Sequence, residues 1–388
     1  MRNPSLRLTR RHWLTLLPGL WCAARTVQAA AAPETGVTAD SITLGLSTPL
    51  SGPQGDVGQD LVRGAKVYFD AVNAKGGVNG RKINLIVKDD VYDPKKTVAN
   101  VEGFIASGEV FAAFNVFGSQ NNEQILPIAQ KAGLPILMPY SGATSIRKTD
   151  YRGIFNLRAS YAEEVEKLIQ HLSTIGFKKI GVAYQNNSYG KEILAAAMAA
   201  MEHHGLKPVA TASVEIDSSD TAAAASKILA GQPDALLLGL VGKPSIDMIK
   251  TVNQTRRGLQ MYGPSPLASA SNLKALGTEG AGITISQAMP FPTNMTVPLV
   301  REYQAAMRAA GQSDFTHLSL EGYVNAKVAA EGLRRAGKEP TRESLIRAMH
   351  AIQDWDLGGL EVDFSKGAAS ASRFVELTVI NSQGKLVK

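Results

Sequence analysis

SITLGLSTPLSGPQGDVGQDLVRGAKVYFDAVNAKGG, residues 41–77, contains one complete strand–turn–helix unit. Ile42 to Leu50 is an apolar run with β-branched residues, long enough for a buried strand. Ser51-Gly52-Pro53 breaks it as a turn. Apolar residues then recur at Leu61, Ala65, Phe69 and Val72, the spacing of a helix, which stops at Gly76-Gly77. In a parallel sheet such a Gly-rich turn stands at the carboxyl end of its strand, where open α/β folds hold small ligands.

Similar units follow along the chain. Strand-like runs lie at Ile83–Val87, Phe111–Val116, Pro135–Pro139, Ile154–Leu157, Lys179–Tyr184, Val209–Ile216, Ala235–Leu240 and Ile283–Ser286. Helix-like runs separate them, among them Thr97–Ala106, Glu123–Ala132, Glu163–Leu172, Lys191–His203 and Thr221–Leu229. The alternation predicts parallel sheets covered on both faces. It pauses at Ser141–Gly153 and then restarts, which predicts two similar lobes. Two helices, Leu318–Ala336 and Arg342–Ile352, precede a hairpin at Phe374–Val387 with its turn at Asn381–Gly384.

Ahead of this pattern, residues 1–31 read as a secretory signal peptide. Arg2, Arg7, Arg10 and Arg11 form its basic end, Trp13 to Ala24 its apolar centre, and Val27-Gln28-Ala29 a cleavage site. Thr9 to Leu14 also fits a twin-arginine signal, so Sec and Tat export both stay open. About 12 apolar residues cannot cross a bilayer that requires roughly 20. Trp21 before the single Cys22 makes a poor lipoprotein site. Without the leader the chain has no cysteine, hence no disulfide or thiol nucleophile. Its formal charge falls from +7 to +2 because five arginines and no acids lie in the leader. That balance gives no reason to expect nucleic acid as a partner.

Catalytic signatures are missing from the sequence. There is no G-x-S-x-G and no H-E-x-x-H, and the Gly-Lys after Gly239 is followed by Pro244 where a phosphate loop needs Ser or Thr. His203-His204 ends a helical run and reads as a solvated terminus rather than a metal site. Asp89, Asp90 and Asp93 could pair as carboxylates, but Asp93-Pro94 reads better as a cap for the next helix. No cofactor and no metal are expected.

Taken together, several segments resemble the periplasmic solute-binding proteins of branched-chain amino-acid-type ABC transporters, the Leu/Ile/Val-binding protein family. They are residues 49–94, FGSQNNEQILPIAQKAGLPILMPYSGA (117–143), FNLRASYAEE (155–164), IGVAYQNNSYGKEIL (180–194), SLEGYVNAKVAAEGLRRAG (319–337), 358–367 and 373–386. The resemblance implies an α/β fold of two doubly wound parallel-sheet lobes joined by a three-crossing hinge, the type I periplasmic binding fold. Lobe one is expected at 41–158 plus 289–365, and lobe two at 159–287 plus 370–388.

In this family a ligand carboxylate is held between the lobes by hydroxyls and backbone N–H groups. The resemblance places Ser119 and Gln120 at the first such position, on a helix N-terminus that offers free N–H donors. Tyr140, Ser141, Gly142 and Ala143 follow at the second, where Gly142 would let the backbone approach a ligand. Tyr189 matches an aromatic that closes from lobe two. Val241 lies in the loop after Ala235–Leu240, and Val57 stands where strict amino-acid binders carry an aromatic. Those binders hold the ligand ammonium with an acid where this chain has Ser265. A buried ammonium without a carboxylate is costly, so an organic or aromatic acid is expected beside, or in place of, an amino acid. Asp217 or Glu321 could supply an acid instead.

The expected function is capture of a small carboxylate-bearing solute by a monomer in the periplasm, with delivery to an inner-membrane ABC permease. The rival readings are a sensory module for a receptor kinase or chemoreceptor, and an enzyme on the same fold.

Overall fold

The computed structural model describes Met1 and residues 34–388. The leader read at 1–31 therefore lies, Met1 aside, outside the described residues. Residues 41–155 build the first sheet. Its strands are β1 (Ser41–Thr48), β2 (Lys82–Asp89), β3 (Ala112–Phe114), β4 (Ile136–Leu137) and β5 (Ile154–Phe155), with helices α1 (Gly55–Ala74), α2 (Pro94–Ser107) and α3 (Ser119–Ala132) between them. All pairings are parallel and the order is β2-β1-β3-β4-β5.

The second lobe repeats the plan. After α4 (Tyr161–Thr174) come β6 (Ile180–Gln185), α5 (Ser188–His203), β7 (Pro208–Val214), α6 (Thr221–Ala230), β8 (Ala235–Gly239), α7 (Lys243–Thr255), β9 (Gln260–Gly263), α8 (Ala270–Leu276) and β10 (Thr284–Gln287). Its parallel strands run β7-β6-β8-β9-β10, the same order as in the first sheet. The chain then returns to the first lobe as α9 (Pro298–Ala309), α10 (His317–Arg335), α11 (Arg342–His350) and a small ribbon, β11 (Trp355–Asp356) with β12 (Glu361–Val362). It ends as a hairpin, β13 (Glu376–Ile380) and β14 (Leu386–Val387), added antiparallel to β10. The fold is thus the type I, two-lobed arrangement expected from the sequence.

Three segments join the lobes: 156–160, 288–297 and 365–375. The first and third run side by side, with the Ala371 and Ser372 N–H groups donating to the Asn156 and Leu157 carbonyls at 2.8 Å.

Local sequence accounts for most boundaries. Asp93 caps α2 by accepting from the Lys95 N–H at 2.9 Å, with Pro94 as the first helical residue. Asp90 is buried, accepting from Ser47, Thr97 and the Tyr92 N–H, and burial raises its pKa. The acids after β2 therefore shape a turn. Ser160 and Glu163 form a reciprocal cap on α4. On one face of the first sheet α1 packs against α10, burying Leu61, Ala65 and Phe69 with Leu320, Tyr323 and Val324. Gly64 and Gly322 make this contact close, because a Cβ at either would overlap backbone of the facing helix. Helices α7, α8 and α9 and strands β9, β11 and β12 fall outside the runs named from sequence. Strand β9 has only four residues, QMYG, too short for a periodic signal.

Candidate functional site

The carboxyl ends of β3, β4, β6, β8 and β9 converge on one chamber between the lobes. Beyond β3 and β4 the pairing continues for one more step, Phe117 with Tyr140. There the Tyr140 N–H donates to the Val116 carbonyl at 2.9 Å, and the Gly118 N–H to the Tyr140 carbonyl at 3.0 Å. That step brings the start of α3 beside the loop after β4. Ser119 Oγ consequently lies 3.0 Å from Ser141 Oγ, and both residues are buried.

Helix α3 begins without a side-chain cap. Its N-cap is Gly118 at φ 93°, and a Cβ there would meet the Tyr92 ring. Ser119 is the first helical residue rather than the cap, so its hydroxyl is turned to the chamber. An uncapped helix start with an added hydroxyl is an anion-binding arrangement.

Aromatic rings make the remaining walls. Phe117 stacks on Tyr140 at 5.2 Å, and Tyr92 meets Phe117 edge-on at 5.0 Å. From lobe two, Tyr189 packs edge-on against Tyr161 at 5.2 Å. The Tyr189 hydroxyl is buried and has no hydrogen-bond partner, and burial raises its pKa. Tyr161 is likewise raised by burial, with the nearby Arg158 charge opposing the shift. Gln54, Val241 and Pro266 complete the lining. Its volume is about 20 Å³, close to the roughly 10–15 Å³ that one water needs.

Every residue lining this chamber is neutral. The charges stand one layer behind it. Arg158, on the first crossing and 2% exposed, lays its guanidinium over the Tyr140 ring at 4.6 Å. Its Nη2 donates to Glu164 Oε1 at 3.1 Å and to Ser265 Oγ at 2.5 Å, and its Nη1 lies 3.5 Å from Glu321 Oε1. Arg158 Nε and Nη1 make no hydrogen bond. Burial works against this charge, but Glu321, Tyr140 and Glu164 outweigh it and raise its pKa. Burial in turn raises the pKa of Glu321. Arg147 braces the loop after β4, donating to the Ser141, Ala143 and Arg158 carbonyls at 2.9–3.0 Å. Burial lowers its pKa to about 10.

The residues named from sequence divide accordingly. Ser119, Tyr140, Tyr189 and Val241 line the chamber, and Ser141 reaches it through Ser119. Ala143 is buried behind, its N–H donating to Ser141 Oγ at 3.1 Å. Four differ from expectation. Gln120 is exposed, because one helical step past Ser119 turns the side chain away. Gly142 makes room for the Tyr161 ring rather than for a ligand. Val57 lies with Leu61 against Phe117 and Tyr140, backing the aromatic wall. Ser265 turns from the cleft: its N–H and hydroxyl donate to Glu164 at 2.7 and 3.0 Å, where Ser286 also donates at 2.8 Å. Of the two substitute acids, Asp217 is exposed on a loop and Glu321 sits against Arg158.

Sequence reading missed Tyr92, Phe117, Tyr161, Arg158 and Glu164. Only Arg158 and Glu164 gave any signal, as charged residues beside the first crossing. Outside the chamber, His203 and His204 share the Glu166 carboxylate at 3.1 and 2.7 Å on the surface.

The sequence profile of the Periplasmic binding protein family matches residues 41–385, and the chain belongs to that family. A solved substrate-binding periplasmic protein from Ralstonia solanacearum is 32% identical, with a TM-score of 0.80 over 89% of this chain and 99% of that one. A Leu/Ile/Val-binding protein homolog from Brucella abortus is 26% identical over 80% of each chain. A branched-chain amino-acid ABC transporter protein from Thermus thermophilus, solved with valine, shares the fold at a TM-score of 0.80 and 19% identity, over 90% of this chain and 95% of that one.

Proposed function

We propose that this protein is an extracytoplasmic solute-binding protein, not an enzyme. It takes up a small carboxylate-bearing solute between its lobes and delivers it to an inner-membrane ABC permease. The lobes, 41–158 with 289–365 and 159–287 with 370–388, close over the solute as a monomer, and the leader at 1–31 directs export to the periplasm.

One observation carries this reading: the uncapped start of α3, with Ser119 and Ser141, opens on a chamber with no acid in its lining. The solute carboxylate accepts from the α3 N–H groups and the Ser119 hydroxyl, and the tyrosines pack on its apolar part. An ammonium would meet no free carboxylate there, since Glu164 is fully engaged and Glu321 faces Arg158. Amino-free acids are therefore the preferred class, although the Brucella abortus and Thermus thermophilus proteins named above carry branched-chain amino acids in their names.

A thermal-shift screen of refolded, ligand-stripped protein tests this, because a native-state ligand raises Tm by mass action. Amino-free acids such as benzoate should raise Tm. Shifts from amino acids or amides alone would overturn the preference, and turnover of any of these solutes would revive an enzymatic reading.

A further inference from the structure

A groove of about 930 Å³ opens between the lobes one layer away from the chamber. Helix α1 and the start of α10 form one side, α8 and the last five residues the other, and the second crossing forms its floor. Its apolar wall comprises Phe291, Phe315, Leu273, Leu386 and Val387. Polar groups at Asp60, Asp314, Lys385 and Lys388 stand among them.

Leu318 links the walls of the two spaces. It lines the groove, and it packs against the cluster of Val57, Leu61, Phe117 and Tyr140 that backs the chamber. The lobe-two wall is equally continuous, with Pro266 on the chamber and Ala268 on the groove, in the same single turn Ser265–Ala268. A partition of packed side chains thus separates the small aromatic-walled chamber beside Ser119 from a groove of far greater volume with an apolar wall.

We infer that the two spaces form one site for amphipathic acids, with the carboxylate at Ser119 and an apolar tail passing Leu318 into the groove. This rests on the proposed carboxylate capture and adds the substrate class: acids with an unbranched or aryl tail longer than the chamber. The groove occupant is the tail of that ligand, because the groove lies behind the wall that Leu318 and the turn Ser265–Ala268 share with the chamber, and it presents apolar side chains. Leu318 turns to let the tail through, and it sets the tail's direction.

Isothermal titration with butanoate, hexanoate, octanoate and decanoate tests this, against the wild-type chain and Leu273→Trp, which fills the groove from the lobe-two side. Each methylene that enters the groove should tighten binding about four-fold. In Leu273→Trp the gain beyond hexanoate should vanish while butanoate binds as in wild type, and an unchanged melting temperature shows the variant is folded. Leu318→Ala should strengthen decanoate more than butanoate. Affinity that is flat or falls from butanoate to decanoate overturns the groove and leaves carboxylate capture standing. Equal long-chain gains in wild type and Leu273→Trp also overturn it. Binding of none of the four acids, nor of benzoate, overturns both readings.

Discussion

Ser119 carries the proposed recognition because of where one helix starts. The extra pairing step between Phe117 and Tyr140 fixes it 3.0 Å from Ser141 Oγ. Replacing Ser119 by Ala should weaken benzoate binding by about 1–3 kcal/mol, measured by calorimetry, with little change in Tm. Gly142 serves packing instead, since any side chain there meets the Tyr161 ring. Gly142→Ala should cost about 1–3 kcal/mol of stability, read from urea unfolding. His317 supplies a pH test. It packs edge-on against Phe291 with its Nε2 buried and unpartnered, and burial lowers its pKa to about 3. A depressed folded pKa means stability that is complete above the unfolded value near 6.5 and lost as pH falls towards 3. His317→Phe should flatten the acid limb of the stability–pH curve between those limits. Residue-level legibility was uneven for a physical reason. Ser119, Tyr140 and Tyr189 were legible because the resemblance matched their segments to family positions beside the cleft. Tyr92 and Tyr161 stand at no position that the resemblance marked, and a lone Tyr at a strand end or helix start leaves no local pattern. The sequence also showed Ser265 in place of an acid without showing that a buried acid, Glu164, stands behind it.

At the scale of elements, strand and helix order was readable because each unit carries its own period and its own stop. Shorter elements were not. Strand β9 is four residues, and the ribbon strands β11 and β12 are two each. The α1–α10 contact shows how element packing overrides propensity. Ala is a better helix former than Gly by about 1 kcal/mol, yet a Cβ at Gly64 or Gly322 would overlap facing backbone. Gly322→Ala should therefore destabilise the protein despite the gain in helix propensity, and a denaturant midpoint below wild type would register it.

Across the whole molecule, two lobes with the same strand order face each other across a chamber, and three chain segments join them. Arg158 lies on the first of these segments and contacts Glu164 of lobe two and Glu321 of lobe one. It thus ties the charge balance of the cleft to the relative position of the lobes. Glu321→Gln removes the lobe-one side of that contact, so it should loosen the closed form and raise the Kd for benzoate. Solution scattering should show that variant more extended than wild type at equal benzoate. The central claim is that the cleft recognises a carboxylate and makes no use of an ammonium. Calorimetric titration of ligand-stripped protein with 4-methylpentanoate and with leucine isolates this, because the pair differ only in the amino group. We expect 4-methylpentanoate to bind at least ten-fold more tightly. Tighter binding of leucine would contradict the claim and place an acid within reach of the ligand.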